Sequence, residues 1–312
     1  MMFKNSFKLL TANFSTVWKL VLYYLIVIAL LVGLIYPVYD LILPALNAQG
    51  AITNLLETAK NLNISSNIPQ IFNSIFSGLG LIFSAIFALF TTNFWLAFYI
   101  VFIVFYLMPF LFGLADLPIQ ETLFGYMSSL TKYGFVNSYV RKLGKSALFQ
   151  LFKCLIMLPV NALIIYVLYQ TLSLTTVGGI MVYFLPFIFV IVFCLLLALK
   201  RTLFSGWVPA IVVYDCNMFI GLTRGFKALF RRFWKSLSTA LIMMLCIFAV
   251  NYLFGTFAFL ITIPVSIMLL NVFEMVMFYG SQGMRYYVDL ETIVTPKRLE
   301  EKDSFRKIKN II

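Results

Sequence analysis

Glu274 is the residue of this 312-residue chain whose position most suggests chemistry, because it is the one acid inside an apolar segment long enough to cross a membrane. A charge at the bilayer centre costs about 2.5–3.5 kcal/mol on insertion scales, so such an acid indicates a function such as ion coupling. The alternative is that Glu274 lies near the interface and pairs with Lys153 or with an arginine of a neighbouring loop. We favour the pairing, because Glu274 lies close to the end of its segment.

Three asparagines also lie inside apolar segments. Asn271 shares the segment of Glu274, and Asn161 and Asn251 lie in two other segments. Hydrogen bonds between membrane helices from such side chains contribute on the order of 0.6–2 kcal/mol. With Glu274 they form a candidate intramembrane polar site, which a transporter or channel would place around a path at the bilayer midplane. The alternative is that they hold helices together, and we favour this alternative.

The inventory of catalytic and metal-binding residues is thin. The chain has no histidine, which removes the commonest metal ligand and the commonest general base at neutral pH. Its cysteines, Cys154, Cys194, Cys216 and Cys246, are too widely separated for a zinc motif or a disulfide framework. We therefore predict no catalytic residues, no metal, no cofactor and no enzymatic activity.

The net charge of +12 indicates an anionic partner, and the location of the cations favours a membrane over a nucleic acid. Lys and Arg cluster beside apolar segments, where an anionic leaflet attracts each by about 1 kcal/mol. In the clearest cluster, Met218–Lys235, cations and apolar residues fall on opposite faces of a helix. The cations are Arg224, Lys227, Arg231, Arg232 and Lys235, opposite Phe219, Leu222, Phe226, Leu229, Phe230 and Phe233. This pattern predicts a helix in the interface plane, in contact with anionic lipid headgroups.

Two other basic stretches have the same character. Lys4–Lys19 carries Lys4 and Lys8 in its first half, and Asn137–Gln150 carries Arg141, Lys142 and Lys145. Each stretch precedes an apolar segment, as Met218–Lys235 does. We predict three in-plane helices of this kind.

The elements that must position these residues are membrane spans. Hydrophobic residues make up 62% of the chain and charged residues 11%, and crossing the hydrocarbon core takes about 20 apolar residues. Six segments qualify: Val21–Pro37, Phe94–Phe112, Leu148–Leu168, Gly179–Leu199, Leu237–Phe254 and Phe257–Gly280. With both termini in the cytoplasm, 22 of the 23 Lys and Arg residues fall on the inner side, and only Lys60 falls outside.

A further apolar segment, Ile68–Phe90, competes as a seventh span. Inserting it would invert every later span and place most of the later cations outside, so we predict an outer-surface or re-entrant helix. The resulting domain organisation is a six-span membrane domain at 1–280, with an extracytoplasmic insertion at 46–90, followed by a charged cytoplasmic tail at 281–312.

A repeat organises the chain. Ser6-Phe7-Lys8-Leu9-Leu10 resembles Gly225-Phe226-Lys227-Ala228-Leu229, and Asn5-Ser6-Phe7 resembles Asn137-Ser138-Tyr139. The predicted fold is therefore all-α, with three copies of an in-plane amphipathic helix, an outward span and an inward span. The insertion at 46–90 accounts for the longer interval after the first copy.

The segment from Trp207 to Lys235 carries a family resemblance. It reads Trp-Val-Pro-Ala, then an Asp, then Gly-Leu-Thr-Arg-Gly-Phe-Lys-Ala-Leu-Phe-Arg-Arg-Phe-Trp-Lys before a span. It resembles the multi-pass membrane domain attached to some bacterial glycerophosphodiester phosphodiesterases and its stand-alone relatives, mainly over residues 120–280. In those fusions the phosphodiesterase activity belongs to a separate soluble domain, so the resemblance implies a membrane platform and transfers no active-site residue.

These observations predict a multi-pass protein of the bacterial cytoplasmic membrane. Our leading hypothesis is a non-enzymatic platform or accessory subunit that binds anionic lipid on the cytoplasmic leaflet and can brace another membrane protein. The alternatives are a transporter or channel for a lipid or small solute and, less favoured, an intramembrane enzyme. Nucleic acid is not an expected partner.

Overall fold

A computed structural model of the chain describes residues 2–48, 91–173, 181–230 and 233–295, together with residues 50, 53, 88 and 89. The helices are α1 (Met2–Ala12), α2 (Phe14–Ala48), α3 (Phe94–Phe102), α4 (Met108–Gly113), α5 (Asp116–Ser129), α6 (Phe135–Ser173), α7 (Met181–Phe204), α8 (Trp207–Tyr214), α9 (Met218–Phe230) and α10 (Phe233–Gln282). A π-helical segment, Ile103–Leu107, joins α3 to α4. Two short antiparallel strands follow, β1 (Tyr286–Tyr287) and β2 (Ile293–Val294).

Six helical segments among the described residues are long and apolar enough to cross a membrane. They are Phe14–Asp40, Phe94–Ser129, Phe135–Leu168, Phe187–Tyr214, Phe233–Phe254 and Leu260–Gln282. Each overlaps one of the six predicted spans, so the prediction of an all-α, multi-pass membrane protein is confirmed at that level. The predicted helix at Ile68–Phe90 lies outside the described residues, except for Ala88 and Leu89.

The fifth and sixth spans form a hairpin within α10. Ala258 has non-helical backbone angles (φ −137°, ψ 27°), which break the helix between the two spans. Nδ2 of Asn251 donates a 2.8 Å hydrogen bond to Oγ of Ser266. Fifteen residues of straight helix would separate these side chains by about 22 Å, so the chain must reverse direction between them.

The chain divides into two compact units. The second unit comprises Ile26–Leu111 and Cys154–Phe193. Within it, Oη of Tyr99 donates a 3.0 Å hydrogen bond to the carbonyl oxygen of Leu34 and so joins α3 to α2. Leu96 and Ala97 are buried beside these residues.

The first unit comprises Met1–Leu25, Phe112–Lys153 and Cys194–Ile312, and these ranges contain every Lys and Arg except Lys60. Its core gathers fully buried side chains from α5, α8 and the last turns of α10. They include Leu117, Ile119, Leu123, Trp207, Ile211 and Phe278. The last span is the most enclosed one, with 61% of its most apolar window buried against 11–17% in the other five.

The predicted in-plane helices need correction at two places. The first stretch, Lys4–Lys19, is split at Asn13, so only its first half is a separate helix and its second half begins α2. The second stretch, Asn137–Gln150, is continuous with its span in α6, a helix of 39 residues. Nothing in that stretch ends a helix, since it has no proline and Gly144 is tolerated there. Only the third stretch forms a separate helix over most of its length, as α9, and its position in the interface plane stays a prediction.

Two short helices, α5 and α8, form the last parts of the second and fourth apolar segments in the same way. Each has a proline as its third residue, Pro118 or Pro209, where a first helical turn accepts one. Each ends at a left-handed residue, Leu130 (φ 58°) or Asp215 (φ 41°). The predicted second and fourth spans end at Phe112 and Leu199, before these helices, and no helix was predicted here although the prolines signal one.

Candidate functional site

The helix α9 packs on α8 through a face of small residues. Gly221, Gly225 and Ala228 are buried on this face. A Cβ atom added to Gly225 would lie 2.4 Å from the carbonyl carbon of Gly206, so the two backbones touch at this point. Nε1 of Trp207 donates a 2.8 Å hydrogen bond to the carbonyl oxygen of Met218 and fixes the start of α9.

The remaining surface of α9 is exposed and divides into an aromatic face and a basic face. Phe219, Phe226 and Phe230 lie on one side and are 59%, 43% and 61% exposed. Arg224 and Lys227 are also exposed and lie on the adjoining side. The Arg224 guanidinium sits 5.0 Å from the centre of the Tyr214 ring, a cation–π contact that holds it against α8.

The aromatic face continues into the first turn of α10. Ring centres are 5.5 Å apart between Phe226 and Phe230, 6.0 Å between Phe230 and Phe233, and 5.4 Å between Phe233 and Trp234. Trp234 is 79% exposed, and Lys235 next to it is exposed as well. Two of the predicted interface cations, Arg231 and Arg232, lie outside the described residues. We call the surface formed by Phe219, Phe226, Phe230 and Trp234 the aromatic surface.

The predicted cations of α1 occupy two environments. Lys4 is exposed, whereas Nζ of Lys8 lies 2.9 Å from Oδ2 of Asp289, in the loop between β1 and β2. Nδ2 of Asn5 donates a 3.0 Å hydrogen bond to Oη of Tyr286. The hydrogen bond from Lys8, followed by that from Thr292, holds the pKa of Asp289 well below its ordinary value.

The predicted cations of α6 form an ion-pair network with two acids that are distant in sequence. Arg141 pairs with Glu121 of α5, and Nζ of Lys145 lies 2.8 Å from Oδ1 of Asp215. Lys142 lies between the two acids, 3.9 Å from Oε1 of Glu121 and 3.8 Å from Oδ1 of Asp215. The hydrogen bond from Lys145 and its charge, with the charge of Lys142, lower the pKa of Asp215. The sequence analysis missed both acids, because no local pattern links them to α6.

Glu274 pairs with Arg201 at the end of α7. Its side chain is 8% exposed, and that of Arg201 is 42% exposed. Arg201 is one of the loop arginines that the sequence analysis named as candidate partners in general terms. Lys153, the other predicted partner, instead lies 2.6 Å from Oδ2 of Asp116.

Three of the predicted intramembrane polar residues, Asn251, Asn271 and Glu274, each bond a different side chain. Asn251 bonds Ser266 across the α10 hairpin. Nε2 of Gln120 donates hydrogen bonds of 2.9 and 3.1 Å to the backbone and side-chain oxygens of Asn271. Asn161 lies in the part of α6 that belongs to the second unit. Gln120 was absent from the predicted site.

Within the described ranges, no three Cys, Asp or Glu side chains come together in a group able to hold a metal ion. No protein-family model, curated protein or solved structure matches this chain. The candidate site therefore has to be interpreted from its own geometry.

Proposed function

We propose that the protein is a non-enzymatic platform or accessory subunit of the bacterial cytoplasmic membrane, and that α9 contacts anionic lipid on the cytoplasmic leaflet. The observation that carries this proposal is the division of α9 into three faces. Its small residues pack on α8, its phenylalanines are exposed, and Arg224 and Lys227 lie beside them. An interfacial helix needs the apolar face and the basic face, with its apolar side sunk about 5–10 Å into the headgroup boundary.

Lipid is the favoured occupant of the aromatic surface because that surface runs on into a membrane span. The rings of Phe226, Phe230, Phe233 and Trp234 form a continuous series from α9 into α10. Exposed tryptophan beside a span is typical of the membrane–water interface. The flanking cations complement an anionic leaflet, which attracts each of them by about 1 kcal/mol.

Two kinds of observation support a cytoplasmic location for both ends. Lys8 precedes the first span and Asp289 follows the last, and their ion pair supports placing these two points on the same side of a membrane. Arg141 and Lys145 precede the predicted third span, and they pair with Glu121 and Asp215, which follow the predicted second and fourth spans. The first unit, which contains these ion pairs, includes 22 of the 23 Lys and Arg residues. The positive-inside rule therefore favours the cytoplasm for the side of the membrane on which the ion pairs lie.

The threefold repeat forms part of the proposal. Ser6-Phe7-Lys8-Leu9-Leu10 and Gly225-Phe226-Lys227-Ala228-Leu229 share their burial, with the first, fourth and fifth residues buried and the phenylalanine exposed. The paired helices α5 and α8 add a structural counterpart after the second and fourth spans. Membership of the membrane-domain family attached to glycerophosphodiester phosphodiesterases remains a proposal that rests on sequence pattern.

A transporter or channel is the weaker candidate. Its polar path required Asn251, Glu274 and Asn161 to converge, but Asn251 bonds Ser266 within its own hairpin and Glu274 pairs with Arg201. These contacts favour structural roles for both residues.

Lipid retention by the full chain tests the platform hypothesis. We expect native mass spectrometry from dodecyl maltoside to detect more bound phosphatidylglycerol than phosphatidylcholine. The double variant Arg224→Gln/Lys227→Gln should weaken phosphatidylglycerol binding by about 2 kcal/mol, roughly thirtyfold. The single-charge control Lys60→Gln should have no effect. If both lipids are retained equally and the double variant does not change their retention, the lipid role is overturned. A protein partner would then be the molecule that contacts α9.

A further inference from the structure

A pocket of about 230 Å³ opens in the first unit between α5, α6 and α8. Its floor is apolar and consists of Leu117, Phe124, Ile211 and Val212. Its polar wall consists of the ion-pair network already described and the side chain of Tyr133. We call it the Lys142 pocket. It lies apart from the aromatic surface of α9, since no residue of that surface lines it.

The charges of the Lys142 pocket leave one positive charge in excess. Arg141, Lys142 and Lys145 face two carboxylates, those of Glu121 and Asp215. Neither carboxylate is within hydrogen-bond distance of the Lys142 ammonium, since both lie more than 3.7 Å away. A cation centred between two acids without a direct hydrogen bond to either is suited to accept a third anionic partner.

The two acids differ in how firmly they are held. The Glu121 side chain is 10% exposed and is fixed by Arg141, so it forms part of the pocket wall. The Asp215 side chain is 78% exposed and stands at the left-handed end of α8. An exposed ion pair such as Asp215 with Lys145 contributes only about 0–1 kcal/mol, so a stronger anion can displace it.

We infer that the Lys142 pocket binds a phosphate ester, with the phosphate oxygens on Lys142 and Lys145 in place of Asp215. Charged ammonium and guanidinium donors form short, strong hydrogen bonds with phosphate oxygens. The carbon substituent of the ester would lie against Leu117 and Phe124. The ester belongs either to a lipid headgroup or to a small soluble molecule. This inference goes beyond the proposed function, because it requires neither the aromatic surface nor the cations of α9.

Binding to the full chain in dodecyl maltoside, a detergent without phosphate, tests the inference. Isothermal titration with butyl phosphate and inorganic phosphate addresses a soluble ligand, and the butyl chain should raise the affinity through the apolar floor. Native mass spectrometry with phosphatidylglycerol, and with diacylglycerol as the matched lipid without phosphate, addresses a headgroup. Binding of butyl phosphate would assign a soluble source. Phosphatidylglycerol binding that Lys142→Gln weakens, without binding of butyl phosphate, would assign a lipid.

Two variants should change the affinity in opposite directions. Lys142→Gln should weaken binding about tenfold, the size of a lost charged hydrogen bond. Asp215→Asn should tighten it about two- to fivefold, because it removes the exposed competitor. Lys132→Gln removes a nearby cation outside the pocket and should have no effect, and the thermal unfolding of each unliganded variant verifies its fold. Absence of binding in both arms, or binding that neither Lys142→Gln nor Asp215→Asn alters, would overturn the inference.

Discussion

Nζ of Lys8 lies 2.9 Å from Oδ2 of Asp289, so a residue before the first membrane span is paired with a residue after the last one. The pair is supported by the hydrogen bond between Asn5 and Tyr286 and by the contact of the Phe3 and Phe273 rings at 6.2 Å. Together these contacts attach α1 to the end of α10 and to the β-hairpin. The attachment brings both ends of the described chain into one unit.

The Lys8–Asp289 pair predicts a specific pH dependence. Because Lys8 and Thr292 depress the pKa of Asp289, the carboxylate stabilises the folded state above the ordinary carboxyl pKa of about 4. This stabilisation is lost as the pH falls from the ordinary carboxyl pKa through the lowered pKa of Asp289 in the folded state. The difference in thermal unfolding midpoint between the natural chain and Asp289→Asn should therefore be constant from neutral pH to about pH 5 and shrink below it.

The control for this prediction is Glu291→Gln, which removes an exposed acid two residues away. The difference in thermal unfolding midpoint between Glu291→Gln and the natural chain should not shrink over the same pH range. A difference for Asp289→Asn that stays constant down to pH 2 would contradict the assignment.

The Arg201–Glu274 pair predicts a loss of stability that a second substitution repairs. Glu274→Gln leaves Arg201 without its anionic partner and should lower the unfolding free energy in detergent by about 1–3 kcal/mol, since Arg201 is partly exposed. The double variant Arg201→Met/Glu274→Leu should recover much of this loss, because hydrophobic replacement of a buried pair is often neutral or stabilising. If the double variant loses as much unfolding free energy as Arg201→Met and Glu274→Leu together, the pair is not an isolated structural unit.

The close approach of α8 and α9 predicts opposite effects at two glycines. Gly225→Ala places a methyl group against the backbone of Gly206 and should cost about 1–3 kcal/mol of unfolding free energy. Gly144→Ala, on α6, meets nothing within 4 Å and should be neutral or stabilising by up to about 1 kcal/mol. Gly225→Ala should also reduce phosphatidylglycerol retention, because it displaces α9. Equal stabilities for the two variants would contradict the packing.

The Asn251–Ser266 hydrogen bond predicts a measurable coupling across the α10 hairpin. A double-mutant cycle with Asn251→Ala and Ser266→Ala should give a coupling energy of about 0.6 kcal/mol, up to roughly 1.7 kcal/mol. The measurement is the unfolding free energy of all four chains in mixed micelles. Strictly additive effects would show that the bond contributes nothing to the hairpin.

The spans could be predicted from the sequence because a membrane crossing depends on local composition. The six predicted segments overlap the six apolar helices for this reason. The position of Glu274 near the end of its segment also pointed to an ion pair with a loop arginine, and Arg201 is such a partner. The apolar composition of a span and the position of Glu274 within its span can each be read from one short stretch of sequence.

The Lys142 pocket could not be predicted, because its parts come from three helices. Arg141, Lys142 and Lys145 are visible as a helical cluster, but Glu121 and Asp215 are 20 and 70 residues from their partners. The continuity of α6 was also missed, since a basic amphipathic stretch looks the same whether or not a break separates it from its span. A break requires a stop signal, and Asn137–Gln150 has none.

The depth of spin labels on the full chain would show whether α9 contacts anionic lipid. Labels at Phe226→Cys and Lys227→Cys, in chains whose four native cysteines are replaced, report neighbouring faces of α9 in phosphatidylglycerol-containing vesicles. We expect the label at 226 to collide mainly with oxygen, at a depth of about 5–10 Å, and the label at 227 mainly with a water-soluble nickel chelate. Equal exposure of both labels to the nickel chelate would show that the phenylalanines of α9 do not enter the lipid.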